Sequence, residues 1–373
     1  MPPPIDVCIR GAGIVGRSLA LLLARERLHV GLVEQPPTGA GGTAADVRAY
    51  ALNAASRALL EQVRAWPDAV HAGPVLAMEV HGDEGGAVKF GAAAAGAEPL
   101  AWIVDVAALQ QRLVEALRYQ PRVTLLTEPV AAELTVVCEG KNSATRAEFG
   151  VEFALSHYGQ QAIAARLHCD KAHAHVARQW FHEGEILALL PLAGTAGEAP
   201  GNSVALVWSV SQERAPGLVA MPAEQFEALL EARTGAATGK LRLASERSAW
   251  PLQMGLANRW CGPGWALAGD AAHTVHPLAG QGLNLGLADA CELARVLHER
   301  PYWRTVGDFK LLRSYERARK ADVLAMGAAT DGLAQLFSLR PAPWSLLRNW
   351  GMTGFDRSGP LKRWVARRAA GGA

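Results

Sequence analysis

Apolar positions recur along the chain at two periods, and the switches between them mark its elements. Residues 5–9 form a short apolar run that stops at a glycine cluster, and residues 14–26 then carry apolar side chains at helical spacing. Residues 29–33 are apolar again and end at Glu34. Strand, glycine-rich turn, helix and strand in that order predict the βαβ unit of a doubly wound α/β fold. A Gly/Pro-rich loop over residues 36–42 leads to a predicted helix over 53–65. Short alternating runs with glycine between them predict antiparallel strands between 74 and 104, followed by an amphipathic helix over 106–119 and short strands at 123–126 and 134–138. Alternation over 161–167, 186–192 and 203–210 predicts a larger, mostly antiparallel sheet, with one helix at 223–233. Residues 265–268 read as a buried strand, 282–297 as a helix with Leu283, Leu287, Ala290, Ala294 and Leu297 on one face, and the remainder as helices.

The two kinds of segment interleave, so the units are expected to be discontinuous: residues 1–73, 98–150 and 250–330 in one, 74–97 and 151–249 in an antiparallel-sheet unit, and 331–373 as a C-terminal helical tail. Half of the residues are hydrophobic and 37 Lys+Arg nearly balance 35 Asp+Glu, which disfavours disorder and bulk nucleic-acid binding. The five cysteines form no C-x-x-C pair, which argues against a zinc ribbon or disulfide scaffold and fits a reducing cytosol. The first residues lack a basic, then apolar, leader, and the most apolar stretch, 19–24, is too short to span a bilayer, so a cytoplasmic protein is expected.

Candidate chemistry begins at Gly11-Ala12-Gly13-Ile14-Val15-Gly16, a G-x-G-x-x-G between the first strand and helix. The first glycine permits the turn, the second lets a pyrophosphate approach, and the third allows close packing; the helix start offers N–H groups to phosphate. Glu34, 23 residues beyond Gly11, is spaced to accept from ribose hydroxyls and disfavours a 2′-phosphate, which suits FAD or NAD. Between those two, the buried strand ending in Gly269-Asp270 decides for FAD, because the aspartate can accept from a polyol hydroxyl and NAD carries no ribityl chain. His168, His173 and His175 lack metal-ligand spacing, and no metal is assigned.

With Gly269 through His273 and the continuation His276-Pro277-Leu278-Ala279-Gly280-Gln281-Gly282-Leu283-Asn284, the chain resembles the class A flavoprotein monooxygenases. Within them it is most similar to the ubiquinone-biosynthesis hydroxylases (UbiH/UbiF type), over nearly its whole length, through Arg48-Ala49-Tyr50-Ala51-Leu52, Leu109-Gln110, residues 181–192 and Val207-Trp208-Ser209. The resemblance implies a glutathione-reductase-like FAD domain interleaved with a substrate domain whose sheet roofs the flavin. It implies cofactor contacts at Gly11, Gly13, Ile14, Val15, Gly16, Glu34, Arg48, Gln110, Gly269, Asp270, Pro277, Gly280, Gly282, Leu283 and Asn284. Pro277, Gly280, Gln281 and Gly282 would stand nearest the reacting atoms, and no side-chain base is identified. NADH or NADPH would reduce FAD, O₂ would form a C4a-hydroperoxide, and the distal oxygen would pass to a phenol ring, here of a polyprenylated quinone precursor.

Two departures from the family pattern stand out. Glu139 in Cys138-Glu139-Gly140 replaces the usual aspartate, with a short segment before it, and Ala107 replaces an arginine. Glu139 and the short segment before it motivate one alternative, a non-catalytic member of a quinone-biosynthesis assembly; a non-oxygenating flavin oxidoreductase is the other. His273 and His276 flank the flavin loop, where fixing its geometry competes with proton transfer. The tail mixes Arg340, Trp344, Arg348, Trp350, Lys362, Arg363, Trp364, Arg367 and Arg368, which suits peripheral contact with the inner face of a membrane or equally a basic helix packed by its tryptophans.

Overall fold

The computed structural model describes residues 4–34, 46–82, 86–92, 98–194, 201–274 and 281–338. Strands Val7–Arg10, Val30–Val33, Val123–Leu126, Leu134–Val137 and Trp265–Leu267 pair in parallel, in the spatial order 265, 134, 7, 30, 123, with Cys261–Gly262 antiparallel at one edge. The side chains of the central strands Val7–Arg10, Val30–Val33 and Leu134–Val137 are largely buried on both faces by helices Ile14–Arg25, Val106–Arg118 and Gln281–His298, which is why these strands read as apolar runs. Asn53 caps helix Ala54–Gln62 by accepting from the Ser56 N–H, and Asp105 caps Val106–Arg118 by accepting from Ala107.

A nine-stranded sheet is built around the 17-residue strand Phe153–Cys169. On one side that strand pairs with Ser203–Ser211; on the other it pairs with Ser248–Ala257, with a register shift between His157 and Gln161. Period two sorts its residues by face. Ile163, Ala165 and Leu167 join Leu206, Trp208 and Phe226 in a core under helices Ala215–Ala220 and Ala223–Thr234. From the same sheet, Ala177, Leu192 and Ala205 pack instead against Val75 and Ile103 of a three-stranded sheet, Ala49–Leu52, Ala101–Asp105 and Ala72–Val75.

Several expectations shift. The strands foreseen between 74 and 104 divide between two sheets, because Ala77–His81 and Ala87–Gly91 extend the large one through Val176–His182. The expected unit boundary at 250 falls inside Ser248–Ala257, whose ladder with Phe153–Cys169 makes it part of the large sheet. Helix Ala215–Ala220 was not foreseen. The long helix Phe309–Ser338 enters the expected tail; residues 339–373, with its basic and tryptophan side chains, and the loop 36–42 lie outside the described residues. Among the described residues no helix is long and apolar enough to cross a membrane.

The long helix is fastened by Glu316, which accepts from the Trp260 N–H at 2.9 Å and from Lys320 at 2.8 Å, and by Tyr315, whose hydroxyl donates to the Leu267 carbonyl at 2.8 Å. Burial pushes the Glu316 carboxyl up, but the Lys320 ammonium and the Trp260 N–H outweigh it and hold it below 4.5. Its contribution to stability is therefore complete above the unfolded value and disappears as pH falls through the lower folded one. Glu316→Gln is expected to lower the urea midpoint at neutral pH and to leave a shallower decline on acidification, a comparison made by denaturant titration between about pH 3 and pH 7.

Candidate active site

Strand Val7–Arg10 ends at Gly11, whose φ of +108° turns the chain into helix Ile14–Arg25. A Cβ there would stand 2.5 Å from the Cys138 carbonyl oxygen, and one at Gly16 would stand 2.0 Å from the Gly11 carbonyl oxygen. At Gly13 a Cβ would meet nothing within 4 Å. The first and third glycines are thus required by backbone packing, while the second faces open space. No side chain caps the helix at Gly13, so its first N–H groups remain for an anion. Ile14 is buried, and Val15 packs against Gly269 and Gly286, bringing the two glycine-bearing segments into contact.

Glu34 follows the second strand, and its Oε1 accepts from Arg17 of the first helix at 2.6 Å. Gly269 takes φ +64° and Asp270 follows it. The Asp270 side chain reaches solvent from a recess that protein largely surrounds. That burial raises its carboxyl above the ordinary value, against the pull of His273, Lys141 and Arg48. Arg48 donates to Asp46 at 2.8 and 2.6 Å and lies 6.0 Å from the Trp250 ring centroid. Burial pushes the neighbouring Tyr50 phenol up.

Gln110 is half-buried on helix Val106–Arg118, whose Leu109 and Leu113 anchor it in the core. Asp105 at the start of that helix accepts from Arg166 of the large sheet at 2.9 Å, clamping the two layers together. Glu139 accepts from Ser143 Oγ at 2.6 Å, Thr145 Oγ1 at 2.7 Å and the Thr145 N–H at 3.2 Å. The longer side chain is thus spent on the short helix Ala144–Glu148. Buried Arg146 of that helix donates to the carbonyls of Ala271 at 3.1 Å and Lys141 at 2.8 Å, joining the segment after Glu139 to the segment after Asp270.

Gln281, Gly282, Leu283 and Asn284 open the helix Gln281–His298; Pro277, Gly280 and His276 lie outside the described residues. The Asn284 side chain is committed to protein. It donates to the Ala51 carbonyl at 2.8 Å and accepts from Ser56 Oγ at 2.7 Å and the Asn53 N–H at 3.0 Å. It therefore fixes the helix start against the strand Ala49–Leu52, which carries Tyr50 and follows Arg48. His273 Nε2 lies 2.6 Å from Asp289. Among the described residues no three potential metal ligands stand together.

Arg17, Tyr50, Lys141, Arg146, Trp250 and Asp289 belong to this neighbourhood without having been assigned roles in it. Asp289 had a legible signal, a single acid in the buried stretch of an otherwise apolar helix face; Arg17 and Trp250 had none, because only tertiary packing brings them here.

A family model described as FAD binding domain matches residues 91–329. The chain is 33% identical to ubiquinone hydroxylase UbiL of Rhodospirillum rubrum, over 98% of this chain and 89% of the relative. It is 32% identical to 3-demethoxyubiquinol 3-hydroxylase of Escherichia coli, over 99% of both. Among solved structures, p-nitrophenol 4-monooxygenase PnpA from Pseudomonas putida superposes with a TM-score of 0.76 at 17% identity, over 100% of this chain and 99% of that one, a likeness of fold.

The glycines separate packing from ligand space experimentally. Gly13→Ala is expected to change folding stability by at most about 1 kcal/mol while weakening FAD binding, whereas Gly16→Ala should cost about 2–3 kcal/mol because a backbone oxygen cannot give way. Urea denaturation of the apoprotein and FAD titration, made on both variants, distinguish the two effects.

Proposed function

Because the chain belongs to the FAD-binding-domain family of flavoprotein monooxygenases, we propose that it hydroxylates the ring of a polyprenylphenol intermediate of ubiquinone biosynthesis, with NADH or NADPH as reductant. The observation that carries this reading is end-to-end correspondence with a 3-demethoxyubiquinol 3-hydroxylase, over 99% of both chains. The net reaction puts one oxygen atom of O₂ into a ring C–H bond and releases the other as water, with two electrons from the nicotinamide. Bound FAD would supply the oxygen chemistry, which no side chain can perform.

The residues fit that cofactor, since the space at Gly13 and the uncapped helix start suit a pyrophosphate. In this reading Gly11, Gly13, Ile14, Val15 and Gly16 form the phosphate turn, and Glu34, oriented by Arg17, receives the ribose hydroxyls. Asp270 and Gln110 hold the ribityl chain, with Gly269 as the close approach. Gly282 and Leu283, at the start of the helix, would offer N–H groups to negative charge on the reduced flavin, and Pro277, Gly280 and Gln281 are assigned to the same flavin loop. Asn284 acts through the helix start that it fixes, and Arg48 reaches the cofactor from beside Tyr50. The large sheet would roof the bound ring and exclude water, which would limit loss of reducing equivalents as hydrogen peroxide. Residues 1–73, 98–150 and 250–330 less the strand Ser248–Ala257 then form the FAD unit, and 74–97, 151–249 and that strand form the substrate unit.

The purified protein is expected to carry stoichiometric FAD, to bleach anaerobically with NADH or NADPH, and to convert a phenolic quinone precursor to a product one oxygen atom heavier. Visible spectra and product mass check this. Bleaching without oxygen transfer would identify a non-oxygenating oxidoreductase, and a chain that cannot be reconstituted with FAD would identify a non-catalytic partner of quinone-biosynthesis proteins. Peripheral contact with an anionic membrane through the segment after Gly359 belongs to the same proposal; deletion of that segment should sharply reduce co-sedimentation with anionic liposomes.

A further inference from the structure

Asp289 lies in the middle of helix Gln281–His298 and is 0% exposed. One oxygen, Oδ2, accepts the Gly269 N–H at 2.9 Å and lies 2.6 Å from His273 Nε2; the other, Oδ1, accepts from Arg319 Nε at 2.8 Å. Arg319, on the long helix Phe309–Ser338, also donates to Asp322 at 2.6 Å. His273, 1% exposed, stacks on Trp260 at 4.9 Å between centroids and sits in the two-residue strand His273–Thr274, which pairs with the large sheet. A single carboxylate thus ties together four segments. They are the peptide immediately before Asp270, the start of the segment that leads toward Pro277, the helix opened by Gln281, and the long C-terminal helix.

We propose that Asp289 is the positioning residue of the cofactor site. It holds the Gly269–Asp270 turn and the His273 strand in the geometry that receives the flavin, with Arg319 supplying the counter-charge. Gly269 stands at φ +64°, a conformation that its own sequence does not enforce, and the bond from its N–H to a buried anion selects that orientation. Burial raises the Asp289 carboxyl and is outweighed by His273 and Arg319, which lower it, so the anion persists in a fully enclosed place. This inference rests on the FAD reading above.

The test compares wild type, Asp289→Asn, and the charge-balanced pair Asp289→Asn with Arg319→Gln, measuring folding stability, the FAD dissociation constant and the visible circular dichroism of bound flavin. Asp289→Asn is expected to raise the FAD dissociation constant by about tenfold or more and to change the flavin dichroism, since it removes a charge-assisted hydrogen bond. The double variant should recover stability, because no charge is left buried alone, without recovering FAD affinity or dichroism. If Asp289→Asn does not fold, His273 provides the second pair. His273→Gln keeps an amide donor near the Nε2 position and should bind FAD within about twofold of wild type, whereas His273→Leu should lose about tenfold. Unchanged affinity and dichroism in Asp289→Asn, their recovery in the double variant, or equal behaviour of the two His273 variants would overturn the proposal. A wild-type chain that takes up no FAD overturns the reading of the preceding section as well, an outcome distinct from all of these.

Discussion

Backbone pressed against backbone is the constraint on which the rest of the structure depends. The carbonyl of Cys138 meets Gly11, and the carbonyl of Gly11 meets Gly16, at distances that leave no room for a methyl group. That contact brings helix Ile14–Arg25 down onto two neighbouring parallel strands, and Gly269 and Gly286 close on Val15 from the other side. Packing this tight fixes where the free N–H groups of the helix start point, so the open space at Gly13 follows from contacts between backbone segments.

Around that point charged groups fasten layers that the chain visits at widely separated positions. Arg166 to Asp105 clamps the large sheet to helix Val106–Arg118, and Arg146 joins the Glu139 segment to Ala271. Asp289 gathers Gly269, His273 and Arg319. Each of these bonds crosses between segments, and each charge is buried or half-buried with its partners in place, the condition under which such groups stabilise one arrangement over others. The long helix Phe309–Ser338 is therefore part of the site's support, through Tyr315, Glu316 and Arg319, and not an appendage to it.

The substitution of glutamate at 139 illustrates how a local departure can be absorbed. Its carboxylate is satisfied by Ser143, which caps the following short helix, and by Thr145 within that helix, and Arg146 is thereby presented toward Ala271. The segment remains joined to the Gly269–Asp270 turn by a hydrogen bond rather than by the length of one side chain.

Much of the fold was legible because its signals are local. Glycines 11, 13 and 16 sit at the spacing that a strand-to-helix turn demands, and the parallel strands announced themselves as unbroken apolar runs. The helices Ala54–Gln62 and Val106–Arg118 fall within the spans 53–65 and 106–119 marked by apolar periodicity. What sequence could not give was pairing at a distance. The division of strands 72–105 between two sheets, and the assignment of Ser248–Ala257 to the large sheet, depend on the ladders of Ala77–His81 with Val176–His182 and of Ser248–Ala257 with Phe153–Cys169, whose partners are remote in sequence, and period two is the same whichever partner a strand takes. Likewise the residue type at Glu34, Asp270 and Gly269 pointed to dinucleotide chemistry from sequence alone. Only the tertiary structure decided that Arg17 orients Glu34, that Asn284 turns to Ala51 and Ser56, and that Asp289 stands under Gly269. Hydrogen bonds between remote segments are selected by the packing that brings them together, and no local pattern encodes them.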